Sequence, residues 1–222
     1  MGNNDDQPLV LRSDEDHVAT LTLNRPAARN ALSEAMLTAL AERLAEIDGD
    51  DDVHVVILTG AGKSFCAGGD LKAIRERSGI GPRATPDGTR ANYRRGVHSI
   101  IKALAEVEVA TIAAINGHAI GLGLDIGVLC DIRLAGASAK MASSFVKVGI
   151  MPGDGGAWIL TNAIGASRAA ELVLTGDTID ADEASVPVSS HTASLAAEVN
   201  HILVYLNAIL NPGTKVDWDA SW

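Results

Sequence analysis

Cysteine is nearly absent from this chain: Cys66 and Cys130 are the only two in 222 residues. Two thiols cannot build the disulfide framework of a small secreted domain, and they suit a reducing compartment. Long hydrophobic runs are also missing. None reaches the roughly 18 residues that a membrane-spanning helix needs. Basic residues are the minority, 18 against 28 acidic ones, for a net charge of −10. That balance argues against a nucleic-acid or anionic-membrane partner. The stretch Met1 to Asp6 is polar and acidic, unlike a secretory signal. These absences point to a cytoplasmic protein with no membrane and no nucleic-acid partner. No cluster of His, Cys or acids has metal-ligand spacing, so no metal is expected.

What is present is apolar and well distributed. Hydrophobic residues make up 47% of the chain in short blocks, and 222 residues suffice for one sizeable core. Charge is less evenly placed. Lys72, Arg75, Arg77, Arg83, Arg90, Arg94, Arg95 and Lys102 put eight of the 18 basic residues into one stretch. A solvated helical face would explain them. So would a collar for an anionic ligand, such as the phosphates of a nucleotide-bearing group.

Periodicity gives the outline. His17 to Leu23 alternates, with Ala19, Leu21 and Leu23 on one face, and predicts a strand. Ser33 is placed to cap a helix with Met36, Leu37, Leu40, Leu44 and Ile47 inward. Val53 to Leu58, Val109 to Ile115 and Ile132 to Ala135 are further strands. Helices are expected from Asp70, from Arg90 to Ala105, from the second glycine turn to Cys130, and from Ser167. Ser78 to Gly88, rich in Gly and Pro, is expected to be a mobile loop. Strands alternating with helices define an α/β class.

Two nucleotide-binding patterns fail on inspection. Val55 to Ser64 ends in Gly-Lys-Ser, but a phosphate-binding loop needs Gly where Ile57 stands. Gly121, Gly123 and Gly127 do not sit directly at a strand end. No acid occurs in Lys140 to Lys147 to hold a ribose. A nicotinamide-dependent dehydrogenase is therefore the remote alternative.

The chemistry lies in two glycine-rich turns that each open a helix, Ser64 to Leu71 and Asn116 to Asp125. Helix N-termini leave N–H groups free, and small residues let a ligand come close. Two such amides converging on one oxygen form an oxyanion hole able to hold a thioester enolate. Either turn alone would do no more than pack helix against sheet.

Taken together, LTLNRPAARNAL from Leu21, FCAGGDL from Phe65, TIAAINGHAIGLGLD from Thr111, CDIRLA from Cys130, and the segments VGIMPGDGG and LTGDTIDADEA resemble the crotonase superfamily of enoyl-CoA hydratases and isomerases. The resemblance runs from about Val18 to Ala184. It implies a crotonase-like spiral of ββα units over residues 1–184, with an atypical short helical tail over 185–222. Trimers or hexamers are implied, with an acyl-CoA substrate, coenzyme A as part of that substrate, and no permanently bound cofactor. Oxyanion amides are implied at Ala67 and Leu122. A surface for the substrate and its coenzyme A is implied at Arg25, Ala27, Arg29, Ala67, Gly69, Asp70, Leu71 and Gly121.

The acid–base set departs from the family. Hydratases of this type hold a water between two glutamates; the corresponding positions here are Asp125 and Phe145. Asp125 is the first catalytic candidate. Asp154, one residue past a position where some relatives carry an aspartate, is the second. One carboxylate suffices to shuttle a proton along an acyl chain, so isomerisation is favoured over hydration. A non-catalytic acyl-CoA binding protein is the alternative. His118 is expected to be packed and hydrogen-bonded, and Cys66 has no partner for nucleophilic chemistry. After Ala184 the resemblance ends, and Leu195, Val199, Ile202, Leu203, Leu206 and Leu210 suggest one amphipathic helix.

Overall fold

A computed structural model describes residues 7–185. The terminal helix expected from Leu195 to Leu210 lies outside the described residues, as do Met1 to Asp6. The chain runs β1 (Val10–Glu15), β2 (Val18–Leu23), α1 (Glu34–Asp48), β3 (Val55–Gly60), β4 (Ser64–Cys66), α2 (Leu71–Glu76), α3 (Pro86–Arg95) and α4 (Val97–Glu106). It continues with β5 (Ala110–Ile115), β6 (His118–Ile120), α5 (Leu122–Leu129), β7 (Ile132–Ala135), β8 (Lys140–Ala142), α6 (Gly156–Ile164), α7 (Ala166–Thr175), β9 (Thr178–Asp180) and α8 (Ala181–Ala184). Short 3₁₀ turns occupy Pro26–Ala28 and Ser144–Val148.

Two sheets share these strands. The larger runs β1-β2-β3-β5-β7, antiparallel only at β1, and the smaller runs β4-β6-β8-β9. Consecutive strands β3–β4, β5–β6 and β7–β8 each step from the larger sheet to the smaller, and a helix follows each step. That is the expected spiral of ββα units. Its parallel registers set Leu21 beside Leu58 and Ile57 beside Ile112, and β2 alternates buried Ala19, Leu21 and Leu23 with half-buried residues on its other face.

The first helix forms as its sequence dictates. Ser33 Oγ accepts from the Met36 N–H at 3.3 Å, and Met36, Leu37, Leu40, Leu44 and Ile47 are all buried. Full burial of each such side chain is worth about 1.5–3 kcal/mol. The helix expected over residues 90–105 is two. Gly96 ends α3 and starts α4, with its backbone outside the helical region. Ser78 to Gly88 is braced rather than loose: Arg83 Nη2 donates to Gly79 O and to Asn92 Oδ1, each at 2.8 Å. His118 is exposed at the start of β6, not packed. Among the described residues, no helix is long and apolar enough to cross a membrane, and no group of three or more His, Cys, Asp or Glu is placed to hold a metal.

Candidate active site

The two glycine-rich turns meet. Strands β4 and β6 pair in parallel, which brings the first turn against the second. At Gly68, φ is +85°, and a Cβ there would stand 2.4 Å from Ile120 O. No side chain fits at that contact, so glycine is required for the approach. Beside it lies a cavity of about 110 Å³, whose lining includes Ala67, Gly68, Gly69, Leu71, Gly121 and Leu122. Ile80, Tyr93, Val97, Phe145, Ile150 and Asp154 also line it.

Backbone accounting decides which amides are free. Ala67 N–H donates to Arg29 O at 3.0 Å, so the expected oxyanion donor is already engaged. This corrects the assignment of that role to Ala67. Leu32 pairs with Gly69 in an isolated parallel bridge, using Gly68 O and the Asp70 N–H. Such a bridge engages the neighbours of the paired residue and turns that residue's own N–H to the opposite side. The Gly69 N–H has no backbone partner among the described residues, and Gly69 lines the cavity. Leu122 begins α5, so its N–H has no carbonyl four residues back within the helix. Leu122 belongs to the hydrophobic core, and only part of it borders the cavity.

Of the other residues expected on the substrate surface, Ala67, Gly69, Leu71 and Gly121 line the cavity. Arg25, Ala27, Arg29 and Asp70 do not. Arg25 is held by Ala31 O at 3.1 Å and by Asp70 at 3.5 Å, and Asp70 caps α2 by accepting from the Lys72 and Ala73 N–H groups. Ala27 and Arg29 stand exposed in the adjoining 3₁₀ turn. Of the basic stretch, all but Arg83 are exposed.

The two carboxyl candidates differ in position. Asp154 is 3% exposed and lines the cavity. Asp125 is fully buried and is not part of the cavity wall. They come together at Gly156. Its N–H donates to Asp154 Oδ1 at 3.0 Å, and a Cβ on it would stand 2.3 Å from Asp125 Oδ2. Both oxygens of Asp125 and Oδ2 of Asp154 lack a donor among the described residues. Burial first, and the adjoining Asp154 second, push the Asp125 carboxyl up to about 10.

Phe145 packs its ring over Gly121, so the wall at that point is apolar. Cys66 is buried and its thiol is pushed up to about 12 by desolvation, leaving no thiolate at neutral pH.

Three contributors escaped the sequence reading. Tyr93 lines the cavity, and burial together with the charge of Asp154 raises its phenol. His98 Nε2 lies 2.6 Å from Gly153 O and steadies the turn that carries Asp154. Buried Asn30 donates to Ala61 O, Ser64 O and Phe65 O, fixing the entry to the first turn. A buried Asn inside the LNRPAARNAL segment was the available signal, and nothing local distinguished it from a turn residue.

Comparison with known proteins fits this geometry. The profile of the enoyl-CoA hydratase/isomerase family matches residues 13–188. "Probable enoyl-CoA hydratase EchA14" of Mycobacterium tuberculosis is 39% identical over 175 residues, covering 79% of this chain and 65% of the relative. The 1,2-epoxyphenylacetyl-CoA isomerase of Escherichia coli is 38% identical over 175 residues, with the same two shares. The chain thus spans about 65% of the length of these curated relatives. A crystal structure of an enoyl-CoA hydratase from Mycobacterium smegmatis superposes with a TM-score of 0.77 at 32% identity, covering 92% of this chain and 77% of that one. Both glycine turns, the cavity and the two aspartates fall inside the matched region, and the chain belongs to the enoyl-CoA hydratase/isomerase family.

Proposed function

We propose that the chain acts on an acyl-CoA thioester, with coenzyme A as part of the substrate, and moves a double bond along the acyl chain rather than adding water. The observation that carries this reading is the composition of the cavity lining: the amides of Gly69 and Leu122, which have no backbone partner among the described residues, together with a single carboxyl group, Asp154. Asp154 takes a proton from the carbon next to the thioester carbonyl. The electron pair moves onto the carbonyl oxygen, where the two N–H groups hold it. Asp154 then returns the proton two carbons further along, and the enolate collapses to the conjugated thioester. No atom is gained or lost.

Hydration needs a second polar group to hold and orient the water, and Phe145 offers none at the matching position. The exposed basic side chains between Lys72 and Lys102 supply positive charge suited to the phosphates of coenzyme A on an otherwise acidic protein. Self-association, as a homotrimer or hexamer, belongs to the same proposal. It is supported by large apolar side chains left exposed at Met151, Trp158 and Leu174, each more than two-thirds open to solvent.

Calorimetry with butyryl-CoA and butyrate, together with turnover of 3-enoyl-CoA by wild type and Asp154→Asn, tests the reading. The thioester should bind and the free acid should not. The variant should bind the thioester yet lose about 10²–10⁴-fold in kcat, the usual weight of one positioned acid–base group. Equal binding of acid and thioester would defeat the ligand class. Unchanged kcat in Asp154→Asn would remove Asp154 from the chemistry. Thioester binding with no turnover in the wild type would leave a binding protein.

A further inference from the structure

We infer that Asp125 is not the group that exchanges protons with substrate but a positioning residue, which keeps the one proton of a carboxyl pair and donates it to Asp154 Oδ2. The assignment deepens the proposed function and rests on its placing Asp154 at the reacting carbons.

Three buried carboxyl oxygens meet here with no donor for any of them: Asp125 Oδ1 and Oδ2, and Asp154 Oδ2. The fourth, Asp154 Oδ1, takes the Gly156 N–H at 3.0 Å. Two adjacent buried carboxylates repel one another, and keeping both ionised away from solvent is costly. One proton on the pair turns repulsion into an O–H···O⁻ hydrogen bond, among the strong kind. The surroundings say which residue keeps it. Asp125 is fully buried and off the cavity, where charge is most costly; Asp154 touches the cavity, and its Oδ1 accepts the Gly156 N–H. Burial accordingly raises the Asp125 carboxyl far above the ordinary range.

Among the described residues, few ionisable groups lie on the elements packed around the pair. Helix α6, which follows Asp154, has no ionisable side chain over Gly156–Ile164, and β5 has none either. Strand β4 brings buried Cys66, whose raised thiol stays neutral. On β6, His118 is exposed. Helix α4 brings His98, bonded to Gly153 O, and Lys102 and Glu106 face solvent. Helix α3 brings Tyr93, a neutral phenol above its usual value. Gly156 completes the arrangement, since any side chain there would occupy the place of the Asp125 carboxyl.

Paired variants of Asp125 distinguish positioning from direct proton transfer. Asp125→Ala removes the donor and should lower kcat about 10–100-fold, the weight of a hydrogen bond to a charged group, with KM little changed. Asp125→Asn keeps an N–H donor toward Asp154 and should recover much of that loss. Were Asp125 itself the base, Asn would be as inactive as Ala, and that result overturns the inference. A second arm does not depend on activity. Infrared spectra at pH 7 should show one protonated-carboxyl C=O band in wild type and in Asp154→Asn, but none in Asp125→Asn. Absence of the band from folded wild type also overturns the inference. If the wild type turns over no thioester while the band is present, the proposed reaction fails and the shared proton stands.

Discussion

A carboxyl group that is fully buried and has no donor gives up its proton reluctantly, and this makes Asp125 a thermodynamic marker as well as a positioning residue. In the unfolded chain it titrates near 3.8; in the folded chain burial and Asp154 raise it to about 10. Between those values the folded state holds a proton that the unfolded state releases. Its contribution to stability is therefore greatest below pH 4, declines as pH rises through the window, and is lost above pH 10. Asp125→Asn cannot titrate. Urea unfolding should find this variant gaining stability relative to wild type as pH rises from 5 to 8. A difference that stays constant across that range would mean Asp125 ionises normally in the fold. Asp125 was legible in the sequence as a carboxyl group at the start of a helix. That it lies behind Asp154, rather than facing substrate, depends on the path of the turn before α6, which no local spacing encodes.

At the scale of elements, the first glycine turn depends on residues outside itself. Asn30 sits at φ 56° with its amide donating to carbonyls at the end of β3 and along β4, while its Oδ1 accepts from the Arg25 N–H at 2.9 Å. Asn30→Ala would leave buried carbonyls without a donor and should cost about 1–3 kcal/mol, read by chemical denaturation. A neutral result would show that water replaces the amide. Strands β2, β3, β5 and β7 and helix α1 were legible because each is long enough to carry a period. Strands β4, β6, β8 and β9 were not, since each has only three residues and the first two lie within glycine-rich turns. β1 was missed because half of it is exposed and polar, so its alternation is faint. Helix α6 begins on Gly155 and Gly156, residues that ordinarily end helices. The Ala67 assignment failed for a related reason. Which amide of a turn is free follows from pairing with Leu32, a residue more than 30 positions away.

Across the whole molecule, the spiral of ββα units explains why the site exists at all. Each unit passes from the larger sheet to the smaller through a turn, and pairing of β4 with β6 sets two of those turns side by side. Amides from both turns then border one cavity, and the turn before α6 brings Asp154 to the same cavity. On the proposed function, this lining, one reachable carboxylate and a phenylalanine, serves proton shuttling and not water addition. Parallel assays of 3-enoyl-CoA isomerisation and 2-enoyl-CoA hydration by wild type and Phe145→Glu test it most directly. The account predicts isomerisation by the wild type with hydration at least about 10²-fold slower, the weight of one missing acid–base group, and a gain of hydration in Phe145→Glu. Wild-type hydration as fast as isomerisation, with no change in Phe145→Glu, would contradict it.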